Sequence, residues 1–179
     1  HKALEENRTV NIEKKCVWHK TGETLQFQEA DSSTLSTIAG FGDSDSHSKT
    51  RGKGKEYTVT TISFNDLLSK YEAPKTIDYL SIDTEGSEYI ILDSLNFDDY
   101  KFKVITVEHN YTELRDKVFK LLTSKGYKRV HTGYSLFDDW YVDLLHKKMN
   151  EADPVKIIHT PEKYLGSNRD VTRYFDAKK

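Results

Sequence analysis

The sequence has a single cysteine and no long apolar run, and each shortage excludes a class of protein. Cys16 is the one cysteine among 179 residues, so an internal disulfide is excluded and a cysteine-based zinc site is not expected. This usage is typical of a reducing compartment, and we expect a cytoplasmic protein. No apolar run has the length of a membrane-spanning helix and no signal peptide opens the chain, so we expect no membrane span.

The chain also lacks an excess of charge of either sign. Its 27 basic and 29 acidic side chains leave a formal net charge of −2, which offers no electrostatic reason to bind nucleic acid or an anionic membrane. Charged residues make up 31% of the chain, but 12% aromatic residues argue against disorder. The length suits one domain, which we place at residues 1–149, with a charged C-terminal extension at 150–179.

Residues 30–55 lack hydrophobic periodicity. Four glycines lie there among serine, aspartate and lysine, at positions 40, 42, 52 and 54. Loops of this length inside a domain often serve as lids or binding loops. We therefore predict a long flexible loop within the domain.

Two strand–helix units in succession indicate the fold class. Ile77 to Leu95 starts as an apolar run ending at Asp83 and becomes helical in period after Thr84-Glu85-Gly86. Residues 103–107 form a second apolar run, and a helical pattern follows it up to residue 122. Such repetition predicts an α/β fold, with a mostly parallel sheet and covering helices.

Weaker patterns predict the remaining elements. Residues 1–8 have a helical composition, and 57–62 alternate as a strand. Ser63 and Asp66 then have the spacing of a capping box, which predicts a helix start at residue 64. Four further strands are predicted: at 10–18, around Leu25 and Phe27, at 127–130 and at 136–145.

Polar side chains follow both strands of the repeated unit. Asp83 ends the first strand, and Glu108, His109 and Asn110 follow the second. Carboxyl ends of neighbouring parallel strands meet at one sheet edge, where such folds bind ligands. Carboxylates and an imidazole there could orient a hydroxyl group, accept its proton or hold a divalent cation. The alternatives are structural: acids beside a helix N-terminus are favourable without a ligand, and His109 could be a buried structural histidine.

Three segments carry a resemblance to a known family. They are TISFNDLLSKY at 61–71, IDYLSIDTEGSEYIIL at 77–92 and VITVEHNYTELRDKVFKLLTSKGYKRV at 104–130. In them the chain resembles the FkbM-type methyltransferases, which use S-adenosylmethionine. The resemblance implies a Rossmann-like class I sheet, mostly parallel with helices on both faces. It also implies transfer of a methyl group to an oxygen of a small-molecule or glycan acceptor.

The resemblance assigns roles to several positions. Asp83 matches the acid after the family's fourth strand, while Glu108 and His109 match the end of the fifth; these three are the predicted catalytic residues. The predicted cofactor site consists of Asp83, Thr84, Glu85, Val17 and Trp18. Because a sugar hydroxyl is a weak nucleophile, a carboxylate, an imidazole or a cation such as Mg²⁺ held by Asp83 and Glu108 would assist its deprotonation.

One part of the family pattern is missing. The glycine-rich loop after the first strand and the acid that holds the ribose would lie before His1, so the chain resembles a methyltransferase lacking its first βαβ unit. We expect the chain to be an incomplete view of a longer protein. If residues 1–179 are the whole molecule, we expect weak or no binding of S-adenosylmethionine by calorimetry. The strand edge left open would favour a homo-oligomer.

Two other functions remain open. A methyltransferase-like interaction module that has lost cofactor binding would explain the missing glycine loop. A metal-dependent hydrolase with Asp83, Glu85 and His109 as ligands would require a divalent ion and no methyl donor. A glycine-rich strand–helix unit encoded upstream of His1 would favour the methyltransferase over the interaction module.

Overall fold

The computed structural model of the protein describes residues 2–30, 35–40, 54–134 and 136–144. Their strands are β1 (Cys16–Trp18), β2 (Thr24–Glu29), β3 (Thr37–Ile38), β4 (Lys55–Ser63), β5 (Thr76–Ile82), β6 (Lys101–Glu108), β7 (Tyr127–Val130) and β8 (Asp138–Asp143). Their helices are α1 (Lys2–Asn7), α2 (Phe64–Lys70), α3 (Glu88–Asp93) and α4 (Leu114–Ser124). The predicted extension 150–179 and most of the predicted loop 30–55 lie outside the described residues, but β3 falls within that loop.

Helix α2 begins where the capping pattern predicts. The Ser63 side chain accepts a hydrogen bond from the backbone N–H of Asp66 at 3.1 Å, which satisfies one of the free donors of the first turn. Phe64 is buried at the start of this helix, and Leu67 and Leu68 pack against the core. The cap therefore joins the end of β4 to the hydrophobic core.

The first sheet has the strand order β1-β4-β2-β3 and mixed directions. β1 runs parallel to the end of β4, with Val17 opposite Ile62. β2 runs antiparallel to both β4 and β3. A tight turn at Gly22, whose φ of +84° favours glycine, precedes β2 and allows it to pair with β4.

The second sheet has the order β5-β6-β8-β7 and holds the candidate site. β5 and β6 are parallel and are connected through α3. β8 pairs antiparallel with β6 on one side and with β7 on the other. On β6, Ile105 and Val107 are buried, whereas Val104, Thr106 and Glu108 are partly exposed. Alternate residues of β6 thus differ in exposure up to the strand end.

The predicted mostly parallel Rossmann-like sheet with helices on both faces is wrong. The described residues form two mixed sheets, and their longest helix has 11 residues. Hydrophobic periodicity identifies a strand but carries no information on its direction or neighbours. The turn before β2 and the antiparallel pairing of β7 with β8 reverse chain direction, so repeated strand–helix units do not produce a parallel sheet here.

One hydrophobic core packs on the second sheet and reaches the start of α2 through Phe64 and the end of β1 through Val17. Its largest fully buried side chains include Tyr141, Phe97, Phe102, Ile105 and Leu122. Phe64 and Phe102 stack with ring centroids 6.2 Å apart and so connect the end of β4 to β6. Burial of this set stabilises the strand ends that carry the polar residues described below.

The helices of the described residues are short. None of them combines the length and the apolar character that crossing a membrane requires.

Candidate active site

Acidic side chains stand at the ends of three adjacent strands of the second sheet. The register pairs Ile82 with Val107 across β5 and β6, so Asp83 follows at the level of Glu108. Across β6 and β8, Glu108 pairs directly with Asp138. The prediction that β5 and β6 are neighbours is confirmed, and we call Asp83, Glu108 and Asp138 the strand-end acids.

Glu85 brings a further carboxylate to this edge. Oxygen atoms of Asp83, Glu85 and Glu108 lie within 4.8 Å of one another. Glu85 is only 6% exposed, and Glu108 is partly buried. Several carboxylates this close, with limited access to water, repel one another strongly.

Burial, together with this repulsion, raises the pKa of two acids at this edge. Burial, then the negative charges of Asp83 and Glu85, raise the pKa of Glu108 to about 8. Asn110 Nδ2 donates a hydrogen bond to Glu108 Oε1 at 2.8 Å and orients the carboxyl group. Burial and then the charge of Asp83 also raise the pKa of Asp138. Glu108 therefore holds or releases a proton near neutral pH, as a general base should.

The turn between β5 and α3 is built around Glu88. Its buried carboxylate accepts hydrogen bonds from the N–H of Thr84 at 2.7 Å, the Thr84 hydroxyl at 2.9 Å and the N–H of Gly86 at 3.1 Å. Within this turn Glu85 has a φ of +57°, which costs about 1–3 kcal/mol for a residue other than glycine. Thr37 Oγ1 supports it by donating to the Glu85 carbonyl oxygen at 2.8 Å. Glu88 thus holds Glu85 in position beside Asp83.

Two predicted cofactor residues have contacts that define their positions. Thr84, besides donating to Glu88, accepts a hydrogen bond from Ser87 Oγ at 2.8 Å. Trp18 is 7% exposed at the end of β1, and Val17 packs against the core. Helix α3 packs against β1, so the end of β1 lies beside the helix that follows the acidic turn. The cofactor roles of these residues stay predictions.

His109 lies in a different environment from the strand-end acids. Its Nε2 is 3.9 Å from Asp139 Oδ1, and its ring is 5.0 Å from that of Tyr111. Burial, then the charge of Arg115, lower the pKa of His109, so the ring is neutral at physiological pH. The structure brings Asp83, Glu85 and Glu108 together, whereas the imidazole of His109 faces Asp139.

Sequence reasoning missed three polar residues of this sheet and one of the helix beside it: Asp138, Asp139 and Arg129 on the strands, and Arg115 on α4. Asp139 forms a bidentate pair with Arg115 and a further hydrogen bond with Arg129. The signal available was the double aspartate at the start of a predicted strand. Since side chains alternate along a strand, one of the two had to face the core and needed a cationic partner.

Comparison with known protein families shows what the chain is similar to. A family model described as methyltransferase FkbM domain matches residues 3–129, well over half of the chain. No curated protein and no solved structure matches the chain.

Proposed function

The chain belongs to the FkbM methyltransferase family, and we propose that it methylates a hydroxyl oxygen of a sugar, glycan or other small molecule with S-adenosylmethionine as donor. The observation that carries the proposal is the convergence of Asp83, Glu85 and Glu108 within 4.8 Å at adjacent strand ends. Carboxylates suit a donor of this kind, since they accept hydrogen bonds from hydroxyl and ammonium groups and favour a cationic sulfonium.

The donor, when bound, supplies a methyl group on a positively charged sulfur. Methyl transfer is an in-line displacement, so the protein must align the acceptor oxygen with that carbon. Glu108 accepts the proton that the acceptor hydroxyl loses, and Asp83 orients the hydroxyl. The raised pKa of Glu108 places its proton affinity near the working pH, which favours general base catalysis. In this scheme His109 orients the segment after Glu108.

A divalent cation is a second candidate occupant of the acidic group. Asp83, Glu85 and Glu108 offer three carboxylate oxygens, the ligand type that Mg²⁺ prefers. These oxygens lie within 4.8 Å of one another, so small side-chain rotations could bring all three to one ion. A cation there would stabilise the acceptor in its deprotonated form. Activity that is lost in EDTA and restored by Mg²⁺ would support this role; activity unchanged by EDTA would contradict it.

The direct test measures transfer of a radiolabelled methyl group from S-adenosylmethionine to a panel of monosaccharides, oligosaccharides and small alcohols by the full-length protein. We expect Glu108→Gln to reduce kcat about 10²–10⁴-fold, the usual contribution of a general base. Glu56→Gln is the matched control, because this glutamate is exposed on β4 in the other sheet. A Glu108→Gln variant with the activity of the Glu56→Gln variant would contradict the proposed role of Glu108.

The same assay separates the competing functions. An interaction module predicts no methyl transfer to any acceptor and no binding of S-adenosylmethionine by calorimetry. A metal-dependent hydrolase predicts hydrolysis that requires a divalent ion and proceeds without a methyl donor. Either result would replace the methyltransferase proposal.

A further inference from the structure

An ionic cluster around a buried carboxylate lies one residue away from the strand-end acids. Asp139 is 2% exposed and accepts hydrogen bonds from Arg115 Nε at 2.9 Å and Nη2 at 2.7 Å. Arg129 Nη1 donates a third at 3.1 Å. Burial alone would raise the pKa of Asp139, but the hydrogen bonds from both arginines outweigh burial and lower it. Asp139 is therefore a carboxylate under all physiological conditions.

The three residues of this cluster come from three different elements. Arg115 belongs to the first turn of α4, Arg129 to β7 and Asp139 to β8. Asp139 pairs with Val107 in the register, and the next pair toward the strand ends is Glu108 with Asp138. The two-pronged contact of Arg115 fixes direction as well as distance. The cluster thus ties a helix and two strands together next to the candidate catalytic carboxyl.

His109, which directly follows β6, lies next to this cluster. Its backbone N–H donates to the carbonyl oxygen of Phe137 at 2.8 Å, one residue beyond the paired Glu108 and Asp138. Its Nδ1 accepts from the N–H of Tyr111 at 3.0 Å, so the proton of the neutral ring is on Nε2. That Nε2 is buried without a hydrogen-bond partner, 3.9 Å from Asp139 Oδ1. A histidine with one nitrogen engaged and the other buried suits a positioning role better than proton transfer.

We propose that Asp139, held by Arg115 and Arg129, is a positioning residue that fixes the end of β6 against β8 and thereby places Glu108 for reaction. The catalytic part of this inference rests on the proposed methyltransferase function. Apolar side chains at these positions would stabilise the core equally well, since buried ion pairs seldom stabilise a protein more than a hydrophobic replacement does. What an apolar replacement lacks is the fixed direction of the bidentate contact.

The test compares Asp139→Asn with Val118→Ala, a core truncation on the same helix as Arg115 that leaves the ionic cluster intact. Amide hydrogen exchange is measured on the 179-residue chain at His109, which reports the strand end, and at Ile105 in the middle of β6. We expect Asp139→Asn to speed exchange at His109 at least about tenfold more than at Ile105, because the strand end opens locally. Val118→Ala should speed both equally. Equal acceleration at both amides in Asp139→Asn would overturn the inference.

The kcat and acceptor KM of the full-length protein distinguish a positioning role from a purely structural one, because a purely structural role would leave both unchanged. Asp139→Asn should lower kcat about 10–100-fold while the acceptor KM stays within about threefold, because misplacement of a reacting group affects the transition state more than binding. Val118→Ala should retain kcat within about threefold below its unfolding temperature. A variant with an opened strand end and unchanged kcat would overturn the positioning role.

The positioning role of Asp139 and the proposed methyl transfer can fail independently of each other. If the wild-type protein transfers no methyl group, the proposed function fails, and the exchange comparison still decides whether Asp139 fixes the strand end. If Asp139→Asn does not fold, Arg115→Lys replaces it, since lysine keeps the charge and loses the second hydrogen bond. For that variant we expect about three- to tenfold faster exchange at His109 relative to Ile105; equal exchange would again overturn the inference.

Discussion

Asp138 and Asp139 are adjacent on β8, and the structure shifts their pKa values in opposite directions. Asp138 is partly exposed near Asp83 and Glu108, and its pKa is raised. Asp139 is 2% exposed, yet its pKa is lowered because two guanidinium groups bind it. The more buried carboxylate is the more acidic one. Partners, rather than burial alone, set the direction of the two pKa shifts, and within the described part of the chain no arginine pairs with the strand-end acids as Arg115 and Arg129 pair with Asp139.

Removing the charge of Asp139 tests this difference most strongly. Asp139→Asn leaves Arg115 and Arg129 partly buried without their counter-ion, and we expect a loss of about 3 kcal/mol in the free energy of unfolding. Urea denaturation monitored by circular dichroism measures it. A loss below about 1 kcal/mol, as for an exposed ion pair, would contradict the view that the cluster is a buried one.

The pH dependence of the free energy of unfolding tests the strand-end acids through Glu108. Since folding raises the pKa of this carboxyl from 4.5 to about 8, its stabilising contribution is complete below pH 4.5 and is lost as the pH rises through 8. We expect the free energy of unfolding to fall by about 1–3 kcal/mol over this range, less than the full shift implies because solvent screens the site. Glu108→Gln should flatten the profile. An equally steep profile in this variant would assign the effect to other groups.

The two arginines of the cluster should differ in importance. Arg115 makes two hydrogen bonds to Asp139 and Arg129 makes one, so Arg115→Lys should destabilise by about 1–2 kcal/mol and Arg129→Lys by about half of that. Parallel thermal and urea unfolding of the two variants gives the ratio. The reverse order would show that the bidentate contact is not the stronger one.

The smallest effect is expected at Asp138. Asp138→Asn removes a negative charge from an acidic surrounding, and we expect stability at pH 8 to rise by up to about 1 kcal/mol. Asp98→Asn, on an exposed loop residue, is a control for the substitution itself. A destabilised Asp138→Asn variant would mean that a cation or hydrogen-bond donor compensates the strand-end acids.

Sequence reasoning predicted the ends of β5 and β6 better than the sheet around them, and the site roles of the acids there stay predictions. The acid after β5 and the acid at the end of β6 were identified because apolar runs of strand length end there, and the pairing of β5 with β6 brings them together. The antiparallel entry of β8 was not foreseen, so Asp138 and Asp139 were seen only as residues of a strand. Likewise, the pattern of residues did not reveal that Glu88 accepts three hydrogen bonds from its own turn.

The sequence by itself determined where most strands and helices of the described residues lie, which family the motifs resemble and which acids end β5 and β6, because hydrophobic period and turn residues act over a few neighbours. Only the tertiary structure decided strand direction, the opposing shifts of Asp138 and Asp139 and the separation of His109 from Glu108. Those depend on pairing between residues far apart in the chain. Both the charge of a buried acid and the direction of an imidazole are set by what the fold places next to them.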